Sequence, residues 1–382
     1  MKVCHVFPTV LLHDGPTNVL LGLLGQLGNR GVANTVISLR RPPLDRNASE
    51  KITALGARYI QLEMKQGLWD PSILSTLSKT IRAEQPDIVQ CNLFRANVYG
   101  TIATRMSGVA RSICVAHNIE SYMTGSKPQD RIARALERTT SRWTAGYVAV
   151  SEAVASAVRD HIGIQKIRVI SNGLEVGTNA LPRILARQRL NIPPSAFVIG
   201  SVGRLHAQKG YADLLGSAAR LSGMIPDLHI TIIGEGEERD TLQRLCNQQS
   251  LGEFVSLIGA RTDVPEVLSA FDIFAMTSYY EGLPIALLEA MRCGIPAVVT
   301  NAGGMGEAVE DGITGYVVPP GDSSAFIEKV MRLAQDSQLR ESMGRSAQAR
   351  FSAIFTASVM SDSYLQMYEQ VTNTGQSDKT LT

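Results

Sequence analysis

Two glutamates eight positions apart, Glu281 and Glu289, are the residues in this sequence best suited to chemistry. Glu281 opens the run EGLPIALLEA, and Glu289 lies on the helix that the Gly-Leu-Pro turn is predicted to begin. Free backbone amides at the start of such a helix, from Gly282 onward, would hold an anion or sugar hydroxyls. The spacing predicts two separate hydroxyl acceptors, one near each end of a sugar nucleotide. The alternative is a helix whose glutamates only cap it and face solvent.

Two cations lie in the earlier segment GSVGRLHAQKG. An apolar run is predicted to form a strand that ends at Gly203, with Arg204 next and Lys209 five residues later, before another helix. The planar fork of an arginine and the compact charge of a lysine suit a diphosphate, and both would neutralise charge on a leaving phosphate. Lys209 could instead be a solvated loop residue.

The first half of the chain carries weaker candidates. Gly15 lies in the first strand-to-helix connection, where a residue without Cβ lets backbone approach a phosphate. His117 ends a later strand in the run VAHNIES, and Asn118 and Glu120 follow as candidates for the acceptor side. Most loop glycines only make turns, and a histidine at a strand end is more often structural than functional.

Short β-branched runs that alternate with helical patterns must position these residues. The runs are KVCHVF, NTVISL, PDIVQC, SICVAH and GYVAVS in the first half, and FVIGSV, HITIIG, DIFAMT and PAVVT in the second. Such alternation predicts parallel sheets covered by helices. The predicted fold class is α/β, with two Rossmann-like domains facing each other across an interdomain cleft, because open α/β sheets bind ligands at the carboxyl ends of their strands. The predicted boundaries are a first domain at 1–180, a linker at 181–195, a second domain at 196–352, a helix at 353–370, and a flexible tail at 371–382.

Composition excludes several classes of protein. The 382 residues are 44% hydrophobic and 19% charged with a net charge of +2, which excludes disorder and gives no bulk positive field for nucleic acid. Five cysteines without a CxxC pair favour a reducing compartment. Neither a signal peptide nor a run of about 20 apolar residues is recognised, so a cytoplasmic location is predicted.

One helical pattern carries a basic face. Lys127, Arg131, Arg134, Arg138 and Arg142 recur at helical spacing, with Ile132, Leu136 and Trp143 on another face. One interpretation is peripheral contact with an anionic membrane, at its inner face, or with a lipid-diphosphate acceptor. The alternative is a solvated helix that packs on the sheet through its apolar stripe.

Together these segments resemble the family 4 retaining glycosyltransferases of the two-domain GT-B fold. The resemblance rests on Gly15, His117, the AVSEA run, the SNG turn, VGRLHAQKG, IIGEGEER and the Glu281 to Glu289 pattern followed by AMRCGIPAV. It spans nearly the whole chain and is most specific in the second half. It implies that the helix at 353–370 crosses back to the first domain. The sequence departs from the usual pattern at Asp14, Gln208 and Gly306, where Gly, Glu and Pro are common.

The resemblance implies a role for each matching residue. The diphosphate would be bound by Arg204, Lys209, the adjoining Gly203 and the amide of Gly15. Glu289 would hold the ribose, His117 would contact the sugar near its anomeric centre, and the transferred sugar would be held by Glu281, Gly282, Leu283 and Pro284. The base would be surrounded by Gly234, Gly236, Gly259, Ala260 and Arg261. His117, Glu281, Arg204 and Lys209 would form the catalytic set.

The implied reaction transfers a hexose-type sugar from a nucleotide diphosphate to an acceptor hydroxyl with retention at the anomeric carbon. UDP is the commonest donor nucleotide in the resembled family, and cell-surface polysaccharides and lipid-linked glycans are its commonest products. No Asp-any-Asp motif or His/Cys/Asp cluster has metal-ligand spacing, so fixed cations would replace a metal ion and no cofactor is expected. A nucleotide-sugar epimerase and a non-catalytic nucleotide-sugar binding protein remain as alternatives. A NAD-dependent oxidoreductase would need the third glycine that IIGEGEER lacks.

Overall fold

The computed structural model describes residues 1–12, 14–43, 47–65, 70–177 and 180–379. The chain divides into two compact units. The first unit comprises Met1–Leu174 and Ala357–Thr382, and the second unit comprises Glu175–Thr356.

The first unit contains a parallel sheet whose described strands have the order β3-β2-β1-β4-β5-β6-β7. The strands are β1 Lys2–Phe7, β2 Ala33–Ser38, β3 Arg58–Gln61, β4 Ile88–Asn92, β5 Arg111–Ala116, β6 Gly146–Ala149 and β7 Ile167–Val169. The helices up to β7 are α1 Gly15–Asn29, α2 Ser49–Ala54, α3 Ser72–Glu84, α4 Leu93–Ser107, α5 Ser121–Thr124, α6 Pro128–Thr140 and α7 Glu152–His161.

The central strands of this sheet explain the placement of the candidate residues. β1, β4 and β5 are buried along almost their whole length. Strands covered on both faces lose the alternation of half-buried strands, and β1 and β4 bury the polar side chains of His5, Gln90 and Asn92 among their apolar residues. Because neighbouring strands run parallel, the residues that end or follow them share one edge of the sheet. Gly15, Asn92 and His117 therefore belong to the same edge.

The second unit contains a parallel sheet with the order β10-β9-β8-β11-β12-β13 among its described strands. The strands are β8 Phe197–Val202, β9 Leu228–Ile233, β10 Val255–Gly259, β11 Ile273–Met276, β12 Ala297–Thr300 and β13 Gly315–Val318. The helices are α8 Arg183–Arg189, α9 Tyr211–Ser222, α10 Arg239–Gln248, α11 Val264–Val267, α12 Ile285–Arg292, α13 Met305–Ala308, α14 Ser323–Gln335 and α15 Ser337–Ile354.

The strand order of the second sheet reverses between β8 and β11. From β8 the chain moves outward to β9 and β10, then returns to β11 on the other side of β8. Loops that leave neighbouring strands in opposite directions open a crevice at the carboxyl edge, which is where open α/β sheets bind ligands. The loops after β8 and β11, which carry Lys209 and Glu281, lie at this reversal.

The prediction of a linker at 181–195 is wrong for its central part, which forms α8. Arg187 on α8 is 3% exposed and donates from Nη2 to Oδ2 of Asp272 at 2.8 Å. Asp272 lies just before β11 and also accepts the backbone N–H of Val198 at 2.8 Å. The polar residues that suggested a linker are therefore buried contacts that attach α8 to the second unit.

The predicted helix at 353–370 spans the end of one helix and most of another. α15 ends at Ile354, and α16 extends from Ala357 to Lys379 in the first unit. Arg30, next to the end of α1, donates to Ser361 and to Asp362 of α16, both at 2.6 Å. The predicted tail from 371 is helical as far as Lys379. At its start, Val371 is 7% exposed and the Thr372 hydroxyl donates to the Tyr368 carbonyl at 3.0 Å. Residues 380–382 lie outside the described residues.

Candidate active site

The strongest polar contact at the reversal of the second sheet joins Lys209 and Glu281. The Lys209 Nζ lies 2.6 Å from Glu281 Oε1, and the two side chains are 18% and 7% exposed. The Ser278 hydroxyl donates to the same oxygen at 2.8 Å. Within the described residues, no hydrogen bond engages the other carboxylate oxygen of Glu281, which leaves it able to accept a ligand hydroxyl.

The loops that carry this pair are tied together by neutral groups. Gln208 donates its side-chain amide to the Tyr280 carbonyl at 2.7 Å, and the Tyr279 N–H donates to the Gln208 carbonyl at 2.8 Å. The Thr277 hydroxyl donates to the Gly210 carbonyl at 2.9 Å. An ionised glutamate at position 208 has no proton to donate. Gln208, which stands where Glu is common, therefore helps to hold the loop of Lys209 against the loop of Glu281.

Arg204 differs from Lys209 in its surroundings. It follows Gly203 beyond the end of β8, and its side chain is exposed. No hydrogen bond or ion pair to its guanidinium occurs within the described part of the chain. A partnered ammonium and an available guanidinium thus lie on one loop. Together with the Glu281 carboxylate they carry a net charge of +1, which suits an anionic ligand.

The segment Gly282–Pro284 leads into α12 and rests on the loop after β12. Gly304 donates its N–H to the Gly282 carbonyl at 2.7 Å. Gly303 has a φ of +57°, and a Cβ there would lie 1.8 Å from the Glu281 carbonyl oxygen. Only glycine combines this left-handed conformation with so close an approach. The loop after β12 consequently fixes the backbone of Glu281.

Glu289 lies on α12, where its carboxylate is separate from the Lys209–Glu281 pair. Its side chain is half-buried, and no hydrogen bond or ion pair to its carboxylate is found among the described residues. Burial raises the pKa of Glu289 to about 7, while the nearby Arg292 acts to lower it. The group is therefore partly protonated near neutral pH.

The loops after β8, β9 and β10 are connected to one another. Gly234 donates to the Gly259 carbonyl at 2.9 Å, and Leu205 donates to the Glu235 carbonyl at 2.9 Å. Gly234 approaches Gly203 so closely that an added Cβ would lie 1.9 Å from the Gly203 oxygen. These contacts bring the predicted base-binding loops to the same edge as Arg204.

Arg261 in the predicted base-binding turn is held by an acidic neighbour. Its guanidinium makes two hydrogen bonds to the Asp263 carboxylate, at 2.8 and 2.7 Å. The Arg261 hydrogen bonds keep the pKa of Asp263 below its ordinary value. Arg261 and the adjoining Gly259 and Ala260 can therefore shape a pocket, but the charge of Arg261 is offset.

The first unit places His117 immediately after β5. The His117 Nε2 lies 3.0 Å from Asn92 Oδ1, and the ring centroid lies 6.5 Å from that of Phe7. Burial lowers the pKa of His117 to about 4, so the imidazole is neutral near pH 7. Gly15 begins α1, and residue 13 beside this loop lies outside the described residues.

The polar residues after His117 are held by local contacts. Asn118 Oδ1 accepts the Ile119 N–H at 2.8 Å, and Glu120 Oε1 accepts the Phe94 N–H at 3.3 Å. Burial, together with the carboxylate of Glu137, raises the pKa of Glu120 to about 7. Glu137 itself is 1% exposed and accepts hydrogen bonds from Tyr147 at 2.6 Å and from Tyr122.

The apolar stripe of the basic helix is buried only in part, since Leu136 is half-buried. The residues that α6 buries are Glu137 and Thr140, whereas Ile132 is 54% and Trp143, just after the helix, 43% exposed. A polar buried face is tolerated because tyrosine hydroxyls and an Asn97 amide satisfy Glu137.

The basic residues of this helix do not share one role. Arg134 turns inward and donates to the carbonyls of Tyr122 at 2.5 Å and Gly125 at 2.7 Å. The other four are exposed: Lys127, Arg131, Arg138 and Arg142. The outer face of α6 and the residues after it thus combine cations with exposed apolar side chains.

Sequence reasoning missed three residues that support the site, namely Ser278, Thr277 and Gly303. The first two directly follow the run DIFAM, and the rule that ligands gather at strand ends was a signal for them. Gly303 gives no such signal, because its close approach to Glu281 depends on the order of β11 and β12 in the sheet. Among the described residues, no three His, Cys, Asp or Glu side chains cluster as metal ligands, and no helix is both long and apolar enough to span a bilayer.

Comparison with known proteins identifies the family. The model described as "Glycosyltransferase Family 4" matches residues 13–177, and the model described as "Glycosyl transferases group 1" matches residues 183–350. A UDP-Gal:alpha-D-GlcNAc-diphosphoundecaprenol alpha-1,3-galactosyltransferase of Escherichia coli is 29% identical over 282 residues, which cover 71% of this chain and 72% of the relative. An N,N'-diacetylbacillosaminyl-diphospho-undecaprenol alpha-1,3-N-acetylgalactosaminyltransferase of Campylobacter jejuni is 24% identical over 343 residues, 85% of this chain and 88% of the relative.

Solved structures confirm the prediction of two Rossmann-like domains. Anabaena HepE in complex with UDP and glucose superposes with a TM-score of 0.83 at 22% identity, covering 97% of this chain and 99% of that one. At this level of identity the likeness shows the fold, which is GT-B. With two family models that jointly span most of its length, the chain belongs to the family 4 glycosyltransferases.

Proposed function

We propose that this glycosyltransferase moves a sugar from a UDP-sugar to a hydroxyl of a lipid-linked or polysaccharide acceptor, with retention and without a metal or other cofactor. The observation that carries the proposal is the Lys209–Glu281 ion pair, whose lysine lies on the same loop as the available guanidinium of Arg204. The printed names of relatives support the substrate classes, since one uses UDP-Gal and two act on diphosphoundecaprenol-linked sugars.

The second unit would bind the donor. Arg204 and Lys209 offset the charge of the diphosphate, and the open oxygen of Glu281 accepts hydroxyls of the transferred sugar. Glu289 accepts hydroxyls of the ribose. The loops at 234–236 and 259–261 surround the base.

The chemical step would proceed on one face of the sugar. The bond from the anomeric carbon to the phosphate oxygen breaks, the bond to the acceptor oxygen forms on the same face, and the acceptor proton passes to the departing phosphate. The products are an α-linked glycoside, if the donor sugar is α-linked, and UDP. Fixed cations stabilise the charge that grows on the phosphate. A neutral His117 does not oppose the positive charge that grows at the anomeric carbon.

The first unit would bind the acceptor. Gly15, Asn118 and Glu120 belong to the same sheet edge as His117 and offer a backbone amide, an amide side chain and a carboxyl group. Glu120, with a pKa near 7, can accept or donate a hydrogen bond to an acceptor hydroxyl at neutral pH.

A transfer assay tests this function. UDP-galactose, UDP-N-acetylgalactosamine and UDP-glucose are each incubated in EDTA with an N-acetylglucosaminyl-diphospho-polyprenol acceptor, and the product is followed by NMR. We expect one donor to give an α-linked disaccharide. Isomerised donor in the absence of acceptor, or a β-linked product, would contradict the proposal.

The pKa of Glu289 predicts how donor binding depends on pH. A carboxylate accepts ribose hydroxyls better than a carboxylic acid does, so protonation below pH 7 should weaken UDP binding. We expect the Kd for UDP to rise toward about tenfold per pH unit below pH 7. In Glu289→Gln this part of the slope should vanish, while the contribution from titration of UDP itself remains. Equal slopes in both proteins, measured by calorimetry from pH 5.5 to 8, would contradict the prediction that protonation of Glu289 weakens UDP binding.

The exposed face of α6 supports a membrane-bound acceptor. Arg131 and Arg142 adjoin the exposed Ile132 and Trp143 in the sequence, and the Arg105 guanidinium lies over the Trp143 ring at 5.2 Å from its centroid. Basic and apolar side chains together favour the interface of an anionic bilayer. We propose that this face contacts the membrane that holds the acceptor lipid.

Charge reversal on α6 tests the membrane contact. Arg131→Glu with Arg142→Glu should lower the partition coefficient onto phosphatidylglycerol vesicles by at least about thirtyfold at low salt, because the loss of two cations near the surface costs about 2 kcal/mol. Vesicle sedimentation measures it. The matched control is Lys51→Glu with Lys79→Glu, two exposed cations on α2 and α3 of the same unit. If the wild type stays in the supernatant, or both double variants behave alike, the contact surface is wrong.

A further inference from the structure

A row of buried polar side chains joins the C-terminal helix of the first unit to His117. Tyr368 on α16 donates its hydroxyl to Gln90 Oε1, and Gln90 Nε2 donates to Asn92 Oδ1 at 3.2 Å. Asn92 Oδ1 in turn lies 3.0 Å from His117 Nε2. Tyr368, Gln90 and Asn92 are each at most 2% exposed. A buried polar network of this kind is retained only when its members satisfy one another, and it then specifies one arrangement.

The backbone around Asn92 determines which way its amide points. Asn92 Nδ2 donates to the carbonyls of Val6 at 3.4 Å and Gln90 at 3.3 Å. Carbonyl oxygens only accept, so the amide nitrogen must face them and the amide oxygen must face His117. An amide oxygen cannot donate. The proton of the contact therefore resides on His117 Nε2.

The second ring nitrogen of His117 follows from the first. A neutral imidazole carries one proton, so a protonated Nε2 leaves Nδ1 with a free lone pair. Burial keeps the ring neutral near pH 7. No hydrogen bond to Nδ1 is found in the described ranges of the chain, which leaves this nitrogen available to a ligand hydroxyl.

We propose that Asn92 is a positioning residue which, held in turn by Gln90 and Tyr368, fixes His117 in the Nε2–H tautomer and presents Nδ1 as a hydrogen-bond acceptor to the transferred sugar. The contact with sugar rests on the proposed function of His117, whereas the tautomer does not. Tyr368 donates to Gln90 and Gln90 donates to Asn92 Oδ1, which also accepts the Nε2 proton of His117. Helix α16 would thus affect catalysis through a hydrogen bond as well as through packing.

The tautomer is measured directly by two-bond proton–nitrogen correlation NMR on protein labelled with ¹⁵N-histidine, without donor, at pH 7. His117→Asn assigns the signal. We expect Nε2 to be protonated and Nδ1 unprotonated in the wild type. In Asn92→Leu the acceptor is lost, so the signal should shift toward a mixture of tautomers, and kcat should fall about tenfold with the Kd for UDP unchanged. Tyr368→Phe should also shift the tautomer toward a mixture and lower kcat, but by less than Asn92→Leu does.

Tyr364→Phe is the matched control. Tyr364 lies one turn earlier on α16, its ring centroid is 5.9 Å from that of Tyr368, and its hydroxyl has no hydrogen bond among the described residues. It should leave tautomer and kcat unchanged. Protonation of Nδ1 in the wild type would overturn the proposal, as would a wild-type tautomer and kcat in both Asn92→Leu and Tyr368→Phe. Should Asn92→Leu not fold, the wild-type spectrum and Tyr368→Phe decide. Because the spectra are recorded without a donor sugar, they test the tautomer of His117 even if the proposed UDP-sugar function is wrong.

Discussion

Lys209→Met is expected to lower kcat for sugar transfer by at least about a hundredfold, because it removes a fixed cation from the departing phosphate. The substitution also leaves the Glu281 carboxylate, which is 7% exposed, with the Ser278 hydroxyl as its described partner. We therefore expect the free energy of unfolding to fall by about 2 kcal/mol as well. Steady-state kinetics and urea unfolding measure the two effects.

The control for Lys209→Met is Lys329→Met in the same unit. Lys329 pairs with Glu328 at 2.8 Å, but the glutamate side chain is 68% exposed, so solvent screens the pair. Its loss should leave kcat within about twofold of wild type. A Lys209→Met enzyme with wild-type kcat would remove Lys209 from the catalytic set.

Gly303→Ala is expected to disrupt donor binding without changing any charged group. The new Cβ would lie 1.8 Å from the Glu281 carbonyl oxygen, so the Glu281 backbone must move. We expect the free energy of unfolding to fall by about 3 kcal/mol and UDP to bind at least about tenfold more weakly. Thermal unfolding and calorimetry with UDP give the two values.

Gly312→Ala separates the clash at Gly303 from backbone strain. Gly312 has a φ of +76°, and a Cβ there would meet nothing within 4 Å. Alanine in this left-handed conformation should lower the free energy of unfolding by about 1 kcal/mol and leave UDP affinity unchanged. Equal effects of the two substitutions would show that the contact with Glu281 does not support the site.

The edge of the second sheet was predictable from sequence because its central strands are mostly apolar runs. The ends of β8 and β11 follow from FVIGSV and DIFAM, and ligand residues gather where parallel strands end. That β8 and β11 are neighbours does not follow from either run. The contact between Lys209 and Glu281, which are 72 residues apart, depends on that neighbourhood.

Burial of charged residues accounts both for the wrong linker prediction and for the exposed apolar residues of α6. Arg187 on α8 is buried because Asp272 accepts from it, and Glu137 on α6 is buried because Tyr122 and Tyr147 donate to it. A polar segment without visible partners predicts a linker or a solvated face. Asp272 is 85 residues from Arg187 in the sequence, so that pair cannot be identified before the strands are placed. Tyr122 and Tyr147 are only 15 and 10 residues from Glu137, but the sequence does not show that their hydroxyls face its carboxylate.

The interpretation of α6 changes as a result. With Glu137 facing inward, Ile132 and Trp143 are exposed beside the cations instead of packing on the sheet. The hydrophobic pattern alone cannot distinguish these arrangements, because both place apolar residues on one stripe. Burial of the polar face makes the outer surface available for the proposed membrane contact.

Calorimetric titration of the protein with UDP, GDP and ADP in EDTA tests the central proposal, a UDP-sugar site built on Lys209 and Glu281, most directly. We predict that UDP binds at least about tenfold more tightly than the other two nucleotides, and that Lys209→Met weakens UDP binding by at least about fivefold because an ionic contact to the diphosphate is lost. Failure of UDP to bind, a requirement for added metal, or equal affinity of wild type and Lys209→Met would contradict it.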